Sequence, residues 1–597
     1  MENRKHFLQE LLEVKLYFHN QEKTGNIFKK CSEVSERARK DGNQLYIKKH
    51  NKQIHQDILS LYTKSIAFAP TGSEKLALGY SNRSALLIHL HHYEECIIDI
   101  AKALECTKSE ELKSKLNDRK KKCLRFIKER KTKLAEEALH KSVKSLNLYD
   151  EEIVDTVLEL PNIINSVKTL RITKSVTLKY NKMYGRHYIA NKDIKPGDII
   201  IAEKTYACFP KLDQIYLVCS HCLSFTWVGI PCDFCVFSIY CSEACKKVAR
   251  KEYHDIECSV LPCLYTDTDL FRTGMRLATR MIIKAVKAEG FQNVINLAKT
   301  VNNDDNGTER MLLDISLGES KFGTCYNLQS FPNRRQSNYD TFSEGVIIYL
   351  LFQYTNIIYK EKPDIMNISD DNIFILKNIL MKLGDIINLN QYCFQSGCTC
   401  PNILNECQND CNFPKGHFIA PFSSLVNHSC IPNTLMLNLP QRTVVLFATQ
   451  TIKKNEQIFY SYGPLLDGKD MLDRNSFLRD HYYFTCKCTA CKENWSFNYN
   501  LTLNKSDSVS WTKLLLEFQQ MLFAAKEFKE NQFINNQSHD WQQIDEVSLH
   551  QALKLSELVY KHFKNQAAFN YNIRFRRYVR KALYILYGEK YDMPNQC

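Results

Sequence analysis

The 597-residue sequence has no apolar stretch long enough to span a membrane. Its most apolar segment, 345–359, includes Gln353 and Asn356 and falls short of the ~20 residues a bilayer requires. The first twenty residues are charged throughout and lack the apolar core and small-residue end of a secretory signal. Glycine (19) and proline (15) are too few for a collagen-like chain, while 44% hydrophobic and 24% charged residues fit a globular protein. No stretch interleaves basic and aromatic residues in the manner of a nucleic-acid reader, which argues against direct nucleic-acid binding. These absences lead to an expectation of cytoplasmic and nuclear residence with no membrane partner. The length suggests roughly four domains.

Cysteine, by contrast, is plentiful. The 24 cysteines are too sparse for a small disulfide scaffold and too many for an average enzyme. In a reducing compartment, clustered cysteines mean metal before disulfide. The net charge, 80 − 66 = +14, is concentrated: residues 107–144 hold 14 Lys/Arg against 6 Asp/Glu, with Arg119 to Lys122 as an unbroken basic run. A solvated helix face is the plain reading, with an import signal or an acidic-partner surface as alternatives.

The pattern along the chain changes four times. Residues 1–165 read as helical. Within them Tyr80, Leu87 and Ile100 are spaced to fill a seam between two helices, and the small residues Ser84, Cys96 and Ala103 allow a close crossing. This unit resembles a tetratricopeptide repeat, and 112–124 could open another; about three units are needed for a stable stack. From about 170, Val176-Thr177-Leu178 and Ile199 to Ala202 read as strands, the latter after the turn Lys195-Pro196-Gly197-Asp198. A second strand zone centres on Val444 to Phe447, a helical block occupies 265–390, and 505–597 is helical again.

Two motif groups carry chemistry. Residues 219–258 contain Cys219-x2-Cys222, Cys232-x2-Cys235, Cys241-x3-Cys245 and His254-x3-Cys258, enough ligands for two four-coordinate zinc ions. A segment this short and polar cannot own a real core, so metal must supply folding energy. Spacing alone leaves the pairing of ligands open. Downstream come Asn427-His428-Ser429-Cys430, then Tyr460-Ser461-Tyr462-Gly463, then Tyr482-Tyr483-Phe484-Thr485-Cys486-x-Cys488-x2-Cys491.

The first group resembles the MYND zinc finger and the second the SET domain of protein-lysine methyltransferases. Together they resemble the SET-and-MYND family, and with the helical N-terminus its type-4 subgroup. The resemblance implies an α+β multidomain chain. A β-rich SET fold (170–470) is split by the finger (219–258) and the helical insert (265–390), followed by a post-SET zinc segment (471–495). Helical regions, 1–165 and 505–597, flank it. The resemblance pairs Cys219, Cys222, Cys241 and Cys245 on one zinc and Cys232, Cys235, His254 and Cys258 on another. Cys430 joins Cys486, Cys488 and Cys491 on a third. It also implies S-adenosylmethionine bound by Tyr184, Gly185, Arg186, Asn333, Asn390, Asn427, His428, Tyr462 and Phe484, with Tyr462 and Tyr482 lining a lysine channel. His187 stands where the family often has a second glycine, which puts the fit of the donor turn in question. Asn433 reads as a turn-former bonding its own backbone rather than as a ligand. Cys398, Cys400, Cys407 and Cys411 offer a fourth metal site or a lid-like loop.

The expected activity is methylation of lysines in protein substrates, with further protein partners on the finger and the helical repeats. The rival reading is a scaffold that keeps the SET fold for stability. The substrate protein, the degree of methylation and the oligomeric state are not legible in the sequence.

Overall fold

The structure, a computed structural model, describes residues 30–48, 52–145, 171–264, 270–302, 321–330, 370–396, 413–439, 441–463, 469–495 and 553. Asn333, the four cysteines between 398 and 411, and the region 505–597 apart from Leu553 lie outside the described residues.

Five helices open the described chain: α1 (Ser32–Lys48), α2 (Lys52–Phe68), α3 (Glu74–His89), α4 (Tyr93–Cys106) and α5 (Glu110–Ser145). The Ser73 hydroxyl caps α3 by accepting from Leu76 N at 3.2 Å. The α3–α4 crossing is built as the spacing predicts. Ser84, Cys96 and Ala103 are fully buried, and Cys96 Sγ donates to the Ser84 carbonyl at 3.1 Å. Tyr80, Leu87 and Ile100 share one apolar cluster with Ile66 of α2 and Leu116 and Cys123 of α5. The stretch 112–124 does not open a short repeat helix; it lies in a single helix of 36 residues. No glycine or proline interrupts 110–145, so nothing stops that helix early.

The strand-rich body follows. Strands β1 (Arg171–Ile172), β4 (Ile199–Lys204), β11 (Thr434–Leu439) and β12 (Thr443–Ala448) form an antiparallel sheet in the order β1-β4-β12-β11. All six residues of β12 are buried, in keeping with its unbroken apolar run. β2 (Val176–Asn181) and β3 (Gly185–Ala190) make a hairpin, and β5 (Ala207–Pro210) pairs with β9 (Phe413–Ile419), which pairs with β8 (Gln391–Ser396). Gly197, at φ +87°, turns the chain before β4, and a Cβ there would come within 3.2 Å of Leu553 Cδ1. Leu553 therefore packs against this turn.

The cysteine-rich block contributes β6 (Ile230–Pro231), β7 (Ile239–Tyr240), α6 (Glu243–Ala249), a π-helical turn (Arg250–His254) and α7 (Asp255–Leu264). α8 (Leu270–Glu289), α9 (Phe291–Asn302), α10 (Phe322–Tyr326) and α11 (Asp370–Asn390) form the described part of the helical insert. The block does lack a core of its own. Its Cys219, Leu223 and Val236 are nevertheless fully buried, because they join a cluster with Ile58 and Tyr62 of α2 and Met281 and Ile282 of α8. Arg83 bolts the N-terminal helices to it. This fully buried guanidinium pairs with both Asp99 oxygens at 2.7 and 2.8 Å and donates to the Gly229 carbonyl at 3.1 Å. His92 stacks on Trp227 with ring centroids 3.8 Å apart. Among the described residues no helix is long and apolar enough to cross a membrane.

Candidate active site

Three sets of four ligand atoms converge, each set within 4.8 Å: Cys219, Cys222, Cys241 and Cys245; Cys232, Cys235, His254 and Cys258; and Cys430, Cys486, Cys488 and Cys491. Sulfurs on a tetrahedral zinc with ~2.3 Å bonds sit roughly 3.8 Å apart. The separations Cys222–Cys241 (3.6 Å), Cys232–Cys258 (3.8 Å) and Cys430–Cys491 (3.5 Å) match that edge. Donor chemistry and geometry thus fit three structural zinc ions in the expected pairing, with four protein ligands each and no open position for a catalytic water.

In the second set His254 faces its cysteines with Nε2 and holds Glu257 with Nδ1 at 3.1 Å. Glu257 in turn takes Arg280 of α8 through both oxygens at 2.7 and 3.0 Å. Arg280 then donates to the Ser220 carbonyl at 2.8 Å, next to the first zinc ligand. One buried chain of polar groups therefore joins both finger sites to the helical insert.

The third set walls a cavity of about 1290 Å³. Its opposite wall is the β2–β3 turn, held by Asn181 Oδ1 accepting from Met183 N at 3.0 Å and Tyr184 N at 2.8 Å. Gly185 sits at φ +63°, a conformation that disfavours any side chain, with nothing within 4 Å of where a Cβ would project. Asn427 Nδ2 ties the Tyr184 carbonyl at 2.9 Å. Asn427 and His428 form β10, which lies parallel beside β13 (Phe459–Tyr460). His428 Nδ1 accepts from Tyr462 N at 3.0 Å, and burial pushes the imidazole down to about 4, so it stays neutral.

Beyond β13 the tyrosines meet. The rings of Tyr462 and Tyr482 are 4.8 Å apart. The Tyr462 hydroxyl donates to the Val426 carbonyl at 3.0 Å, and the Tyr482 hydroxyl to the Tyr462 carbonyl at 3.2 Å. Burial raises both phenols above their ordinary range, so both remain neutral. Tyr482 ends α12 (Met471–Tyr482), and Tyr483 reverses the chain at φ +60°, so that both Tyr482 and Phe484 line the cavity.

Of the expected donor contacts, Tyr184, Gly185, Arg186, Asn390, Asn427, His428, Tyr462 and Phe484 all line this one cavity. Asn390 uses both amide hydrogens on the Gln329 and Ile386 carbonyls, at 2.9 and 2.8 Å, leaving its oxygen as the remaining polar atom. His187 does not line the cavity. It is buried beside the hairpin, with Nδ1 2.9 Å from the Gly185 carbonyl, so the donor turn is not obstructed. Asn433 bonds the backbone of another strand rather than its own. Its Nδ2 donates to the Gln457 carbonyl and its Oδ1 accepts from Phe459 N, at 2.9 and 2.8 Å, because β13 lacks a partner on that side.

Several residues in or next to the cavity wall escaped the sequence reading. Ser424 and Leu425 line the cavity just before Asn427. Tyr392 of β8 brings a third phenol near Tyr462, its ring 6.1 Å from Tyr460. Asn475 and Arg474 of α12 hold the third zinc set: Asn475 Oδ1 accepts from Cys486 N at 2.8 Å, and buried Arg474 reaches Cys491 Sγ at 3.9 Å. Only Tyr392, two positions after Asn390 on a strand, carried a signal that could have found it.

The cavity also fits a nucleoside-bearing ligand. It presents the Phe484 face, the Asn427 amide and Arg186, and Gln457 Nε2 on its wall is buried without a hydrogen-bond partner.

The family description "SET domain" matches residues 185–463. Protein-lysine N-methyltransferase SMYD4 of Mus musculus is 25% identical over 546 residues, covering 76% of this chain and 66% of that protein. The chain thus spans about two thirds of that relative's length. Histone-lysine N-methyltransferase ASHR1 of Arabidopsis thaliana is 24% identical over 308 residues, covering 51% of this chain and 53% of that protein. A SET and MYND domain-containing protein of Dictyostelium discoideum is 24% identical over 373 residues, covering 59% of this chain and 93% of that protein. With a SET match over residues 185–463, two four-ligand clusters inside it and a third that gathers Cys430, Cys486, Cys488 and Cys491, the chain is similar to SET-and-MYND proteins.

Proposed function

We propose that the protein is an S-adenosylmethionine-dependent protein-lysine N-methyltransferase. The observation that carries this reading is the placement of two neutral phenols, Tyr462 and Tyr482, beside Asn427 and His428 in one cavity closed by a cysteine cluster. The names of the relatives point the same way. S-adenosylmethionine, when bound, supplies a methyl on a sulfonium, whose C–S bond breaks as the lysine C–N bond forms.

The chain's own residues do the rest. Both tyrosine hydroxyls donate to backbone carbonyls, so both oxygens are left as acceptors for the hydrogens of an incoming amine. Two fixed acceptors orient that amine, and orientation is a large part of what a displacement reaction needs. A tyrosine-lined, water-poor channel disfavours the ammonium form, so the lysine sheds its proton before transfer. Asn427, Arg186 and the Gly185 turn would hold the amino-acid end of the donor, and Phe484 its adenine. Zinc shapes this wall and takes no part in bond making.

We further infer that protein partners bind the helical, tetratricopeptide-like region and the faces of the finger not covered by α2–α4, and that the protein works in the cytoplasm and the nucleus. The scaffold alternative loses its main support, since His187 lies outside the cavity. Incubation with methyl-labelled S-adenosylmethionine and a cell lysate tests the proposal. Label on lysine, located by mass spectrometry and lost in Tyr482→Phe, is expected; no transfer by zinc-replete protein would refute it.

A further inference from the structure

We infer that Glu203 is a positioning residue for the methyl transfer proposed above, a reading on which this role rests. Glu203 lies on β4, between β1 and β12, and is 2% exposed. A carboxylate buried this deeply must be hydrogen-bonded. Its Oε1 accepts from Ser423 N at 2.6 Å and its Oε2 from Phe422 N at 3.2 Å. Those two N–H groups open the short turn Ser423–Leu425, which follows β9 and has no strand beside it. Phe422 and Ser423 are themselves buried, so the carboxylate supplies acceptors to N–H groups that water does not reach.

The turn leads directly to the reacting edge. Ser424 and Leu425 line the cavity, the Val426 carbonyl accepts the Tyr462 hydroxyl, and Asn427 and His428 come next. From the other side, Tyr188 of β3 donates to the Phe422 carbonyl at 3.3 Å. One side chain on a rigid strand thus sets the height of the segment that aims the Tyr462 hydroxyl. If that segment moves, the phenol proton loses its carbonyl, and the phenol can no longer present its oxygen as a pure acceptor to the amine.

The test compares Glu203→Asp, which keeps the charge but retracts it by one methylene, with Ser423→Pro, which deletes the N–H from the other side of the same contact. Ile201→Val, on the same strand, controls for loss of stability alone. The expected result for Glu203→Asp is a fall in kcat of about 10²-fold, the cost of misplacing a reacting group by roughly 1 Å. Substrate KM should stay within about threefold. In that background Tyr462→Phe should cost little more, because both changes remove one oriented hydroxyl. Additive losses of the two substitutions, or a Glu203→Asp kcat equal to that of Ile201→Val, would overturn the role while leaving the methyltransferase reading intact. Failure of the wild-type chain to transfer methyl at all would overturn both.

Discussion

The finger and the post-SET knot use the same metal chemistry for different ends. The two finger sites are surrounded on several sides by helices. Their second set owns a dedicated carboxylate, Glu257, braced by Arg280. The knot is held by thiolates alone, with His428 Nε2 3.4 Å from Cys430 Sγ, the Arg474 guanidinium at 3.9 Å from Cys491 Sγ and the Asn475 amide as its support. It stands on the cavity wall, with Cys486 and Cys488 among the lining residues. The finger is therefore a buttress between the N-terminal helices and the helical insert, whereas the knot is a clasp on the reaction chamber. A metal site's neighbours, more than its ligands, decide what its loss would do.

The largest expected effect follows from the clasp. Cys488→Ser should remove one zinc of three, together with donor binding and activity, since structural zinc contributes about 10 kcal/mol or more of apparent binding energy. Metal analysis with calorimetry checks this, and retained donor affinity at two zincs per chain would break the contrast. Next is the buttress. Arg83→Ala leaves Asp99 buried and unpaired and should lower stability by about 3–5 kcal/mol in chemical denaturation. Its kcat per folded molecule should be unchanged. A smaller effect tests the second layer of the finger: Glu257→Gln should weaken zinc binding at that site by about 10–100-fold in chelator competition. The knot should hold its ion under the same challenge. If Glu257→Gln instead released the knot ion first, the two regions would be coupled and the division would fail.

Much of this was legible in the sequence, for a physical reason. Metal ligands must be close in space, and here most are also close along the chain, so Cys-x2-Cys and Cys-x3-Cys spacing announces them. The α3–α4 crossing was legible because small and large residues alternate at helical spacing. What stayed hidden depends on contacts between distant segments. Arg280 lies more than twenty residues beyond His254 and Glu257, and no local pattern marks it as their partner. Glu203 and Ser423 are separated by 220 positions. The place of His187 could not be read either: only the folded hairpin shows it buried, with Nδ1 2.9 Å from the Gly185 carbonyl and outside the cavity lining. The local pattern of Asn after Pro pointed to Asn433 as a turn-former, and only the fold reveals that it clamps β13.

The central claim is that the zincs shape the chamber while the tyrosines perform the chemistry. The most direct test is single-turnover methyl transfer by zinc-replete Tyr462→Phe beside the wild type, with zinc content and donor affinity measured on the same samples. The account predicts three zincs, donor affinity within about threefold and a transfer rate reduced by about 10²-fold or more. An unchanged transfer rate with the same products would contradict it.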